Sequence, residues 1–364
     1  MSSYLVDFYT VYMKAAETFL NNPRLLYTEA EFSGVLVFRN LPACLIYFVP
    51  FFLITSNGNM NLIIYSFFTL GWNFLACFFI WKITRLDRWI GLVKTSRSEE
   101  AWWIMGLYLL SPLHVGEYSL GQTNAIAGFF ILLGLYFYMD RKEHYAFSCV
   151  SFSLYFKISG FFLLFLILFS KNWKKKITNI FYAIVVQGPN IMMFLMWPMM
   201  LPNFVSLNFQ AAEVYDIIAY KGWGSGSTGT LSVFFRQYTI ISSTVITIIV
   251  LAALIPVTLY TLYRRGQKLN EFDKWMLLIL LFIIAIPAFY LVHVFLYFGI
   301  YCCWLVIEDG RWSKLSKIVM GIPTFSLFFW YYFPFIPFLY LVPFIILFKK
   351  AWGKKGEIPC EIAV

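Results

Sequence analysis

The stretch SPLHVGEYSLGQTNAIAGFFILLGLYFYMDRKEHYAFSCVSFSLYFKISGFFLLFLILFSKNWKKK, Ser111–Lys176, decides how the chain is read. It is apolar enough to cross a membrane more than once, yet it carries Glu117, Gln122, Asn124 and Lys157. Charged and amide side chains at bilayer depth cost several kcal/mol unless something polar faces them, so the stretch reads as a site.

Composition agrees outside this window. The 364 residues are 61% hydrophobic, 21% aromatic and only 13% charged, which marks a polytopic α-helical membrane protein. Apolar runs cover Val35–Ser56, Met60–Ile83, Trp102–Leu113, Gln122–Met139, Tyr145–Phe169 and Ile177–Leu201. Further runs cover Thr239–Tyr263, Trp275–Ile307, Ile318–Phe333 and Pro334–Phe348, with Trp275–Ile307 long enough for two short passes. About ten membrane segments are expected.

The net charge of +10 does not signal nucleic acid here, because its basic residues gather at segment ends: Lys171–Lys176, Arg264–Lys268 and Lys349–Lys355. Under the positive-inside rule these are cytoplasmic anchors, which puts Pro202–Tyr238 and Met1–Phe32 on the outer side. Arg85–Arg97 conflicts with that count, so either Trp102–Leu113 is re-entrant or Arg85–Arg97 lies flat at the interface. One domain is expected: an outer interfacial segment 1–34, a first helical bundle 35–201, an outer loop 202–238, C-terminal helices 239–348 and a cytoplasmic tail 349–364. Six cysteines without CxxC spacing read as small hydrophobes, and no disulfide framework, metal site or cofactor is indicated. No cleaved leader is expected, and no internal repeat favours a transporter of inverted halves.

Candidate groups fall in five sets. Asp7 opens a segment in which Phe8, Val11, Tyr12, Ala15 and Phe19 share one helical face; its carboxylate is either an N-cap or a general base at the membrane surface. Gly121-Gln122-Thr123-Asn124 is either a helix start capped by Thr123 or Asn124, or a polar pocket. Lys157, near the middle of Tyr145–Phe169, needs an anion, either Glu117 or a lipid phosphate. The loop Gly222–Gly229, which contains Ser227, runs toward Arg236 and is either a flexible linker or a phosphate cradle. His293 and His114 either handle a proton or join helices through hydrogen bonds.

The order of these words resembles a known class. DFYTVYMKAAETFLNNPRLLY at Asp7–Tyr27, Pro42, Ser111-Pro112, GQTN at Gly121–Asn124, FKISGFFLLFLIL from Phe156 and the Ser/Gly loop before Arg236 are similar to polyprenyl-phosphate-sugar-dependent glycosyltransferases of the GT-C class. The closest likeness is to the glycosyltransferase family 87 mannosyltransferases, with a more distant one to the first mannosyltransferase of glycosylphosphatidylinositol synthesis. The resemblance covers about Tyr4–Tyr238. It implies that Asp7 acts as base on an acceptor hydroxyl, Lys157 and Arg236 face the donor phosphate, and Gln122 and Asn124 shape the adjoining polar pocket; Ser227 and His293 join the substrate-binding candidates from the residue reading alone. The family carries a span before its Asp that this sequence does not show, so the expectation is that the chain is truncated, mis-started or completed by a partner subunit.

The expectation is therefore an all-α, polytopic GT-C-type membrane enzyme. It would move a sugar, mannose, from a polyprenyl phosphate to a lipid or glycan acceptor on the non-cytoplasmic side, amid membrane lipids. Two rivals stand beside it: a transporter or scramblase of polyprenyl-linked glycans, and an inactive subunit that supports such an enzyme.

Overall fold

A computed structural model of the chain describes residues 8–28, 38–54, 58–84, 105–106, 108–109, 121–209, 241, 243–285 and 336–353. Among the described residues every regular element is helical. A π-helical turn, Phe8–Met13, leads into α1 (Lys14–Asn21). There follow α2 (Leu45–Ile54), α3 (Gly58–Thr84), α4 (Asn124–Met139) and α5 (Glu143–Ser153). A tighter 3-10 helix occupies Ile158–Phe169, and then come α6 (Trp173–Val186), α7 (Gly188–Met196), α8 (Met200–Phe209), α9 (Ser243–Arg265), α10 (Glu271–Ala285) and α11 (Ile336–Trp352).

The chain is an integral membrane protein, and α3 shows why in its side-chain polarity. Its 27 residues span about 40 Å at 1.5 Å per residue, enough to cross a hydrocarbon core. Tyr65, Thr69, Asn73, Ala76, Ile80 and Ile83 recur at helical spacing and are buried, whereas Ile63, Phe67, Phe74 and Phe78 are exposed. The polar residues point inward and the aromatic ones outward, the reverse of a soluble amphipathic helix. Tyr108 donates to Asn73 Oδ1 at 3.1 Å, so the inward amide is satisfied by protein. Two helices of the described residues, through Ile63–Ile83 and Val245–Lys268, are long and apolar enough to span alone; α6 and α7 reach that length and apolarity only as a bent pair, a broken span or a re-entrant loop.

Two expected spans are broken. Tyr145–Phe169 is not one helix: α5 ends at Ser153, and the chain turns through Leu154–Lys157 before the 3-10 helix. Ile177–Leu201 bends by 53° between α6 and α7. Pro189 explains the second break, since it has no N–H to continue the ladder. Side chains fill the gap: Gln187 Nε2 donates to Ser151 O at 2.6 Å, Asn190 Nδ2 to Gln187 Oε1 at 2.8 Å, and Asn190 Oδ1 accepts from Ala43 N at 2.8 Å. The polar residues that interrupt the apolar pattern are thus the ones that tie α5, the α6–α7 bend and the turn before α2 together.

Helices α3 to α6 pack in sequence order, and α10 lies against α4, the 3-10 helix, α9 and α11. Close contacts set two positions. At Gly134 an added Cβ would stand 3.1 Å from Ala146 O and 3.3 Å from the Trp275 ring; at Gly160 it would stand 2.7 Å from Ser153 Oγ. Two hydrophobic clusters result. The larger one centres on α10, and the smaller joins the N-terminal segment, α2, Tyr65, Ile126 and Tyr155–Phe156. Trp102–Leu113, apart from four helical residues, and the alternative interfacial helix at Arg85–Arg97 lie outside the described residues, as do Ile318–Phe333 and residues 286–307 of the run Trp275–Ile307.

Candidate functional site

The smaller cluster surrounds a polar junction built on Gly121-Gln122-Thr123-Asn124. Gly121 adopts φ 69°, a conformation that favours glycine, and it turns the chain sharply into α4. The turn leaves backbone carbonyls without helical partners, and Tyr65 answers them: its hydroxyl lies 2.6 Å from Gln122 O and 3.1 Å from Gly121 O. Thr123, expected as a cap, makes no capping hydrogen bond. Its Oγ1 instead donates to Phe156 O at 3.3 Å and lies 3.5 Å from the Tyr12 hydroxyl. The reason is the break after α5, which frees the Phe156 carbonyl and makes it the stronger claim on the hydroxyl.

The same break corrects the position of Lys157. It lies not inside a helix but in extended backbone at the start of the 3-10 helix, φ −153° and ψ 137°. From there Nζ donates to Gln122 Oε1 at 3.0 Å. The two halves of the expected pocket are therefore brought together, across 35 residues of chain, by an amide oxygen. Glu117, the carboxylate expected opposite Lys157, lies outside the described residues. Asn40 closes another side, its Nδ2 donating to Phe156 O while its own carbonyl accepts from the Tyr27 hydroxyl at 2.7 Å.

Asn124 is different. It is 1% exposed, and neither Oδ1 nor Nδ2 has a hydrogen-bond partner. A buried amide with both atoms unsatisfied costs about 1–3 kcal/mol for each group left unpaired. The neighbouring residues are all engaged, so the amide is the one side chain of Gln122-Thr123-Asn124 that the fold leaves without a hydrogen-bond partner. What the junction offers chemically is an ammonium, an amide donor and an amide acceptor in an aromatic enclosure. Phe8 stands 4.4 Å from the Tyr65 ring, and Tyr12 is stacked on Phe48 at 4.4 Å. That set suits a ligand with hydroxyl and anionic groups.

Asp7, Ser227, Arg236, His293 and His114 lie outside the described residues. The helical face Phe8, Val11, Tyr12 and Ala15 is buried against α2 and Tyr65, with Phe19 half-buried at its edge. Sequence reasoning missed Asn40, Tyr65, Gln187 and Asn190. The signal available for the last two was QGPN, a polar word inside an apolar run; Tyr65 sits among aromatics in IIYSFF and carries none. Among the described residues no three His, Cys, Asp or Glu side chains gather as a metal site. Cys44, Cys77 and Cys149 are free thiols.

A family model described as GPI transamidase subunit PIG-U matches residues 30–219, more than half of the chain and the part that holds the junction. No curated protein and no solved structure matches. The match corrects the expectation of a glycosyltransferase that moves mannose from a polyprenyl phosphate: the family is that of a subunit of a transamidase. Short words such as GQTN produced the error, since a polar break before a membrane helix is shared by proteins of different activity.

Proposed function

Since the chain belongs to the GPI transamidase subunit PIG-U family, we propose that it is a membrane-embedded supporting subunit of the transamidase that attaches proteins to glycosylphosphatidylinositol. The observation that carries this reading is the family match across residues 30–219. It agrees with the third of the sequence-based alternatives, a supporting subunit, and makes the other subunits of that complex its partners. The full architecture in this reading is polytopic, with about ten segments, the basic ends Lys171–Lys176 and Arg264–Lys268 cytoplasmic and Pro202–Tyr238 on the opposite side.

Within the subunit, the junction at Gln122, Asn124 and Lys157 is the proposed contact to the lipid substrate's head. A glycosylphosphatidylinositol carries sugar hydroxyls, which match the Asn124 amide, and phosphates, which match the Lys157 ammonium. Gln122 holds Lys157 in register through the 3.0 Å hydrogen bond. The enclosing aromatics exclude water and so strengthen each polar contact.

Affinity purification of the tagged chain from mild detergent tests the subunit reading. Transamidase subunits should co-purify, and depletion of the chain should abolish surface display of a GPI-anchored reporter. Purification alone, with reporter display intact after depletion, overturns it.

A further inference from the structure

A second polar site lies at the other end of α4, away from the junction. The turn Asp140–Lys142 and the starts of α5 and α6 enclose a cavity of about 200 Å³ lined by Arg141, His144, Lys174, Lys175 and Thr178, with Glu143 and Asn179 on its floor. The floor is internally satisfied: Glu143 Oε2 accepts from Ser170 Oγ at 2.6 Å and from Asn179 Nδ2 at 2.9 Å. Asp140 is taken as well, because Lys142 pairs with it at 2.8 Å, and that hydrogen bond pushes the Lys142 pKa up. Among the described residues Arg141, Lys174 and Lys175 have no ion pair, so three cations face the cavity against one carboxylate.

The position of the cavity identifies what fills it. Lys174 and Thr178 sit one residue around α6 from Trp173, Ile177 and Phe181, an exposed stripe in which Trp173 is 72% and Phe181 60% exposed. A Trp at the head of an apolar helix face is the signature of the membrane interface, where headgroups lie above acyl chains. An occupant of the cavity therefore has its charge among the cations and its hydrocarbon along α6. We propose that the cavity binds the phosphate of an anionic phospholipid headgroup, with Arg141, Lys174 and Lys175 as its charge partners and the Trp173–Phe181 stripe beside its acyl chains. Guanidinium and ammonium groups next to a hydrocarbon face are the chemistry by which membrane proteins hold such lipids. The site is separate from the GQTN junction and does not depend on its role.

The test uses the full chain in nanodiscs of phosphatidylcholine with a minor fraction of phosphatidic acid, and counts retained lipid by native mass spectrometry. The wild type should retain phosphatidic acid in preference to phosphatidylcholine. Arg141→Gly should lower retention about fivefold, the share of one cation near a membrane surface. It should not unfold the chain, because residue 141 has φ 62° and glycine adopts that conformation without strain. Lys174→Gln with Lys175→Gln should lower it further, while Lys171→Gln, outside the cavity, leaves it unchanged. Equal retention by wild type and Arg141→Gly, or an equal loss in Lys171→Gln, overturns the proposal in favour of diffuse surface charge. Displacement of the lipid by inorganic phosphate overturns it in favour of a soluble phosphate.

Discussion

The two hydrophobic clusters are built differently. In the larger, α10 is a single helix in which every residue from Trp275 to Ala285 is buried, so side chains meet protein on all its faces. In the smaller, helices stop and start: α4 begins at the junction, α5 ends beside it, and α2 starts after the Pro42 turn. A continuous helix satisfies its own backbone and needs only packing. A broken one leaves carbonyls bare at bilayer depth, and each needs a partner, which is why Tyr65, Thr123 and Asn40 are where they are. Several polar side chains at membrane depth accordingly mark chain breaks, and the functional question turns on Asn124, whose buried amide has no hydrogen-bond partner.

Truncation of the continuous cluster should have the largest effect. Trp275→Ala removes a fully buried ring that packs on Gly134 and stands 5.5 Å from the Tyr138 ring. A loss of about 3–5 kcal/mol is expected from the cavity alone, measured by denaturant unfolding in mixed micelles. A loss under about 1 kcal/mol would mean that α10 is not the centre of the bundle.

The end of the same helix gives the next effect. Asp273 is 1% exposed, pairs with Lys350 of α11 at 2.6 Å and exchanges hydrogen bonds with the backbone and side chain of Asn270. Lys350→Met keeps most of the volume and removes the cation, so up to about 3 kcal/mol should be lost. Asp273→Asn in the same background should recover part of it, since the buried charge that Lys350 faced then disappears; no recovery would show that the pair acts through packing.

At the broken cluster's edge, Gly160→Ala should cost about 1–2 kcal/mol because the new methyl would fall 2.7 Å from Ser153 Oγ. Ser153→Ala removes that oxygen, and the double variant should be more stable than Gly160→Ala alone. Strict additivity in this cycle would rule out the close approach.

The smallest expected stability change has the opposite sign, and it sharpens the comparison most. Asn124→Leu replaces an unsatisfied buried amide by an apolar side chain of similar size, so stability should stay level or rise by about 1 kcal/mol. Display of a GPI-anchored reporter should fall in the same cells. A variant that is destabilised with normal display would assign Asn124 to structure and remove it from the proposed substrate contact.

The site was legible in part. Gln122, Asn124 and Lys157 stood out because amides and charges are rare in such runs, and the structure brings Gln122 and Lys157 into contact. The placement of Lys157 was not legible: FSLYFKISGFF has no proline and an apolar pattern that suits an unbroken helix as well as a broken one. Tyr65 was hidden for a different reason, since one tyrosine among many carries no signal until a carbonyl is found opposite its hydroxyl.

By itself the sequence determined that this is a helical membrane protein, because 61% hydrophobic residues in long runs have no other stable solvent. It also determined where that pattern is interrupted by polar groups. Only the tertiary structure decided which runs are continuous helices, and that α10 is enclosed while α3 and α6 present aromatic stripes outward. Lipid and protein interior are equally apolar, so hydropathy cannot separate a helix that faces one from a helix buried in the other. That choice is made by packing and by hydrogen bonds between residues far apart in the chain.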